Sequence, residues 1–158
     1  MAEQSYSQSR GFLLSSYTKT DVSTTAVGTL VRQLYTGGYG FTLTSVSAIV
    51  TTDIVSPDNT VLLEVVYDPS FDSAPSSTIV GSITIPSGAT AGDIYTLNLD
   101  YDAFPAERFF VRLARQAAGT DAAGDVFVML EGFNFPYPAE PDGVAKASGD
   151  GKVFLVES

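Results

Sequence analysis

The sequence predicts an all-β protein: a single antiparallel β-sandwich or jelly roll with extended N- and C-terminal segments. Three observations carry that expectation. Apolar residues recur with period two along most of the chain, the signature of half-buried strands. Clusters of Gly, Pro, Asp and Ser interrupt these runs at short intervals, where φ or chain direction must change. No stretch shows the 3.6-residue apolar repeat of an amphipathic helix. At 158 residues and 44% hydrophobic, the chain is long enough to hide roughly 68–70% of the surface its unfolded form exposes.

The elements follow in order. Met1 to Asp21 is rich in Ser, Thr, Gln and Tyr, with an apolar patch at Phe12-Leu13-Leu14, and reads as an arm or an edge strand over 1–20. The sandwich proper is expected over 21–133. Phe41 and Leu43 share one parity, then Val46, Ala48 and Val50 share the other. A parity change inside a strand predicts a bulge or bend near Ser45. Val61, Leu63, Val65 and Tyr67 follow, then Ile79, Gly81, Ile83 and Ile85 up to Pro86. Tyr95, Leu97, Leu99 and Tyr101 alternate with Thr96, Asn98 and Asp100 on the wet face. Ala103 to Arg108 reads as a loop. Phe109, Val111 and Leu113, then Val126, Val128 and Leu130, complete an expected eight or nine short strands. From 134 to 158 the chain is an extension. Pro136, Pro138, Pro141 and Gly143 break any ladder, and Lys152 to Val156 forms a terminal strand apolar on both parities, suited to double burial or to pairing with another chain.

Composition narrows the function. The chain has no Cys, no His and no Trp. Thiolate nucleophiles, disulfides and Cys-ligated zinc are therefore out, as are serine–histidine–aspartate hydrolysis and histidine phosphotransfer. No cofactor is expected. The net charge of −10, from 18 acidic and 8 basic residues, repels nucleic-acid phosphates and favours solubility. The apolar runs fall far short of the ~20 residues that cross a bilayer, and Met1 to Arg10 holds no apolar signal core. Synthesis in a cytoplasm, with no membrane partner, is the expectation.

Candidate chemistry is sparse. Asp53 with Asp58 and Asn59, Asp100 with Asp102, and Asp121 with Asp125 each flank turns, and calcium takes oxygens from such loops. None matches an EF-hand spacing, so they read as turn residues, with bound calcium left open. Asp100 and Asp102 share a parity, but nothing beside them marks a sugar site, and surface charge is the better reading. No catalytic residue emerges. Arg108, Arg112 and Arg115 could bind an acid or phosphate, although Arg112 shares the outer parity with Ala114, as on an ordinary polar strand face. Among the aromatics, Phe41 and Phe133 are assigned to the core. Tyr39, Phe135 and Tyr137, beside Gly and Pro, are candidates for contact with a partner, as are the apolar Phe12 and Phe154 of the chain ends.

One family shares this order of features. Gly40-Phe41-Thr42-Leu43-Thr44-Ser45-Val46-Ser47-Ala48 resembles the opening strand of small jelly-roll proteins of tailed-phage virions. Val61 to Val65, Ile83 to Gly92, and Gly119 to Asp125 running into Val126 to Leu130 follow in the same order, over about three-fifths of the chain. The resemblance implies a structural virion protein, most like a capsid decoration (cement) protein located on the capsid surface. It would bind the major capsid protein or another virion protein, with a trimer the favoured homo-oligomer. The Asp68 to Ser77 loop, with Pro69 and Pro75, is longer than the family's usual turn and could be a contact loop for one partner. The competing assignment is a glycan- or receptor-binding sandwich of a tail or fibre, which usually displays a Trp or Tyr platform.

Overall fold

A computed structural model describes residues 12–35, 40–69, 77–103 and 107–135. All its regular structure is strand: β1 (Phe12–Asp21), β2 (Leu30–Tyr35), β3 (Gly40–Val55), β4 (Val61–Asp68), β5 (Thr78–Ile85), β6 (Ile94–Ala103), β7 (Arg108–Arg115) and β8 (Ala123–Phe135). They form two antiparallel four-stranded sheets, β1-β8-β3-β6 (sheet A) and β2-β7-β4-β5 (sheet B). The antiparallel sandwich expected from period-two patterning is the architecture found. No helix among the described residues is long and apolar enough to cross a membrane.

The pairing has one rule. β1 pairs with β8, β2 with β7, β3 with β6 and β4 with β5, as if one long hairpin had been folded over. The pairs β3·β8 and β4·β7 then knit the halves into sheets. β1 is paired along its whole length, from Phe12 opposite Asn134 to Asp21 opposite Asp125. The described part of the N-terminal segment is thus an edge strand.

Inward-facing residues of both sheets make one core. Phe41, Leu43, Val46, Ala48 and Val50 of β3 and Val126, Val128 and Leu130 of β8 face Val61, Leu63, Val65, Ile83, Ile85, Phe109, Val111 and Leu113. At one end Phe41, Tyr67, Tyr101 and Phe109 pack ring to ring, with centroids 5.1–6.3 Å apart in tilted and edge-on geometries, arrangements that aromatic quadrupoles favour.

The parity change near Ser45 has the expected cause. β3 shifts register between Leu43 and Ser45 against both of its neighbours. Thr44, in the offset, donates its hydroxyl to the Glu131 carbonyl at 3.1 Å, so the irregularity leaves that acceptor satisfied. On β8 the matching position is Gly132. A Cβ built there would lie 2.0 Å from the Thr42 carbonyl oxygen and 2.6 Å from the Phe41 ring. The glycine is what lets the ring lie over the strand.

Three features differ from expectation. β2 has no counterpart in the alternation pattern, because a register shift between Leu30 and Arg32 spaces its core-packed residues, Val31 and Leu34, three apart. In β5 the run of Ile79 with Ile83 and Ile85 is broken by a shift opposite Val65 and Val66. Val80 packs on the core instead, and Ile79 stands 49% exposed. In β6 the inward residues Tyr95, Leu97, Leu99 and Tyr101 are only partly buried, because β6 is an edge strand of its sheet. The expected strand at Lys152 to Val156 lies outside the described residues, and so does the centre (104–106) of the expected loop before β7.

Candidate partner-binding surfaces

The Asp and Asn side chains of the turns are held in local bonds to backbone and to neighbouring side chains. Asp53 accepts the Ala91 N–H at 2.8 Å, Asp93 the Thr90 N–H at 2.8 Å, and the Asn59 side-chain carbonyl the Ser56 hydroxyl at 2.7 Å. Asp21, ending β1, accepts both the hydroxyl and the N–H of Ser23. Those bonds hold its carboxyl below the usual aspartate range. Asp125 takes the Thr52 hydroxyl at 3.0 Å and the Lys19 ammonium at 3.3 Å. Among the described residues no three acids are placed to hold a metal ion together.

The outward face of sheet B is a ladder of ion pairs. Register sets Asp68 opposite Arg108, Val66 opposite Phe110 and Glu64 opposite Arg112. Arg108 reaches Asp68 at 2.9 Å through both Nε and a terminal nitrogen, donates to Gln33 at 2.8 Å and lies 5.0 Å over the Phe110 ring. Arg112 donates to Glu64 at 2.8 Å, and Arg115 to the Thr60 carbonyl at 3.0 Å. Arg108 and Arg112 are therefore spent on neighbouring strands and Arg115 on the residue just before β4, the polar-strand-face alternative to a phosphate spot. Beneath, Tyr67 donates its hydroxyl to Glu107. Burial first, then that carboxylate, push the phenol above its ordinary range, so it stays a donor. A depression of about 260 Å³ beside the ladder is lined by Val27, Gly28, Glu64, Arg112, Leu113 and Ala114.

The outward face of sheet A is different. At one end Ile49 lies opposite Ile94 on one side and Phe127 on the other, an apolar row across three strands. Ile94 is 61% exposed. Next come Thr96, Ser47 and Met129, then Asn98, Ser45 and Glu131. Asp102, Thr42 and Phe133 close the far end. Hydroxyls bind within this face: Ser47 with Thr96 at 3.0 Å and Thr42 to Asp102 at 2.7 Å. Asp100 and Asp102 share its exposed parity, as the sequence indicated.

The candidate contact residues fall as follows. Phe12 opens β1 and Phe135 closes β8, on neighbouring strands at the same end of sheet A. Tyr39, Tyr137 and Phe154 lie outside the described residues, as do residues 70–76 of the candidate contact loop. Phe41 is fully buried, as assigned, but Phe133 is 44% exposed and does not belong to the core. Its parity gives the reason. It alternates with Leu130 and Gly132 and shares a face with Phe127, Met129 and Glu131. The apolar row was missed because Ile49 and Phe127 each sit between two core residues in sequence and read as parts of apolar runs, while Ile94 stands just ahead of the alternating run that starts at Tyr95.

No family model matches the chain, nor does any curated protein. Among solved structures the chain is similar to one in the cyanophage Pam1 capsid asymmetric unit, at 19% identity and a TM-score of 0.46, over 78% of this chain and 86% of that one. It is also similar to the N-terminal cellulose-binding domain of the Cellulomonas fimi β-1,4-glucanase C, at 17% identity and a TM-score of 0.32, over 78% of this chain and 80% of that one.

Proposed function

We propose that this chain is a jelly-roll structural protein of a tailed-phage virion that binds and stabilises the capsid lattice, acting by contact and not by catalysis. The observation that carries the reading is the pairing of each of the first four strands with its mirror in chain order, β1 with β8 through β4 with β5. That is the double-sheet arrangement expected of a jelly roll, the fold that the resemblance of Gly40 to Glu131 implies. Apolar side chains left on outward faces, Ile94, Ile79 and Phe133, support work by surface contact. A major capsid protein is the proposed partner, with trimers on the virion surface. A second reading, a glycan-binding module, is favoured by the Thr, Ser, Asn and Asp side chains of the sheet A face.

Capsids assembled without this chain provide the test. Purified protein should co-sediment with them and raise their disruption temperature. At a concentration ~100-fold above Kd the stabilisation would be about 2.7 kcal/mol per site. Retention on a glycan array with no attachment to capsids would transfer the assignment to the second reading.

The chain ends give a further prediction. Because β1 begins at Phe12 and β8 ends at Phe135, cuts belong at residues 11 and 136. Removing 1–11 or 136–158 should weaken attachment while the sandwich still melts in one cooperative transition. A truncated chain that no longer melts cooperatively would assign the ends to the fold.

A further inference from the structure

We propose that attachment uses the outward face of sheet A, and that its occupant is a basic protein surface presenting an apolar anchor to the Ile94–Ile49–Phe127 row. The proposal rests on the capsid-binding reading and adds which face is used and what it recognises.

Charge separates the two faces. On sheet B, Arg108 and Arg112 neutralise Asp68 and Glu64 at 2.9 and 2.8 Å, leaving little field for a partner. On sheet A, Asp100, Asp102 and Glu131 share the face with Lys19, which is itself paired to Asp125. Such a face attracts lysine and arginine, repels nucleic acid, and repels its own copy, since a two-fold contact would bring these acids against themselves. A second copy of this chain is therefore not the occupant.

The apolar row supplies what charge cannot. Ile94 is 61% exposed at the sheet edge, and its cross-strand neighbours Ile49 and then Phe127 continue the strip inward. The strip ends at Lys19, opposite Phe127. Thr96, Ser47 and Met129 follow it, with Glu131, Asp100 and Asp102 further along the same face. This is an apolar anchor site with charged and hydroxyl groups beyond it, as in an interface core with a polar rim. Size fits as well. Four strands ~4.8 Å apart, with about ten residues at ~3.4 Å each, cover roughly 650 Å². A partner of equal footprint brings the total to about 1,300 Å², above the ~1,000 Å² that a specific complex needs.

The experiment measures Kd for capsids assembled without this chain, using the wild type and three variants. Ile94→Asp should weaken binding about tenfold or more. Asp100→Lys combined with Asp102→Lys should do the same. Ile79→Asp on the outward face of sheet B should leave Kd within about twofold. Raising NaCl from about 50 to about 300 mM should weaken the wild type and move the charge-reversed variant least. All four altered residues are exposed, so each variant should melt like the wild type, which a thermal scan checks. Unchanged Kd for Ile94→Asp and for the double reversal, or a loss confined to Ile79→Asp, would overturn the choice of face. A wild type that binds no capsid marks the separate failure of the capsid reading, and the proposal falls with it.

Discussion

Gly132→Ala is expected to lower the stability of the sandwich by about 3 kcal/mol, the upper end of what overpacking a filled core costs. In a chain of this size that is a fall of roughly 6–12 °C in Tm. The reason is local. The new methyl would sit 2.0 Å from the Thr42 carbonyl oxygen and 2.6 Å from the Phe41 ring. The ring is fully buried against Phe109, with centroids 6.3 Å apart, and has no room to retreat. The carbonyl belongs to the paired strand, so relief requires β3 and β8 to part at their bulge. Phe41→Leu in the same chain should recover only part of the loss, because it clears the ring and not the carbonyl. Gly88→Ala is the control: its φ is +89° but an added Cβ meets nothing within 4 Å, so only the backbone penalty of about 1 kcal/mol applies. Urea unfolding of the four proteins separates these terms. A loss at Gly132 no larger than at Gly88 would mean that the Thr42 carbonyl and the Phe41 ring do not close over position 132.

That bulge also shows why some of the fold is legible in sequence and some is not. A strand advertises itself when its inward residues keep a strict two-residue period. The inward Val61, Leu63 and Val65, Phe109, Val111 and Leu113, and Val126, Val128 and Leu130 were all visible for that reason. Where one bulge separates two regular halves, as around Ser45, the phase change is itself readable. Where a bulge falls inside a short strand it destroys the signal. β2 has six residues and a register shift after the first, which leaves too few residues on either side to define a phase. The sandwich was legible because alternation is a core property. The binding faces were not, because outward residues obey no period of their own. An isoleucine at position 49, between Ala48 and Val50, reads as more core until its cross-strand neighbour is known. The grouping of Arg108 and Arg112 was visible, but their neutralisation by Asp68 and Glu64 depends on the register of β4 against β7.

Arg108→Met is expected to cost about 3 kcal/mol, the low end of what breaking a buried ion pair costs, and Arg112→Met under about 1 kcal/mol. The two pairs have the same register relation between β4 and β7 and almost the same length, 2.9 and 2.8 Å. They differ in burial. The Asp68 side chain is 4% exposed and Arg108 19%, whereas Glu64 is 19% exposed and Arg112 37%. Water can take over most of what Arg112 gives to Glu64. It cannot reach Asp68 as easily, and Arg108 also donates to Gln33 on β2 and covers the Phe110 ring, so its loss loosens three strands together. The double change Arg108→Met with Asp68→Leu removes both charges and should regain much of the loss, since replacing a buried pair by apolar side chains of similar volume is often neutral. Chemical denaturation of the two single variants and the double one decides the matter. Equal losses at positions 108 and 112 would mean that pairing alone, and not exclusion of water, sets the strength of the sheet B ladder.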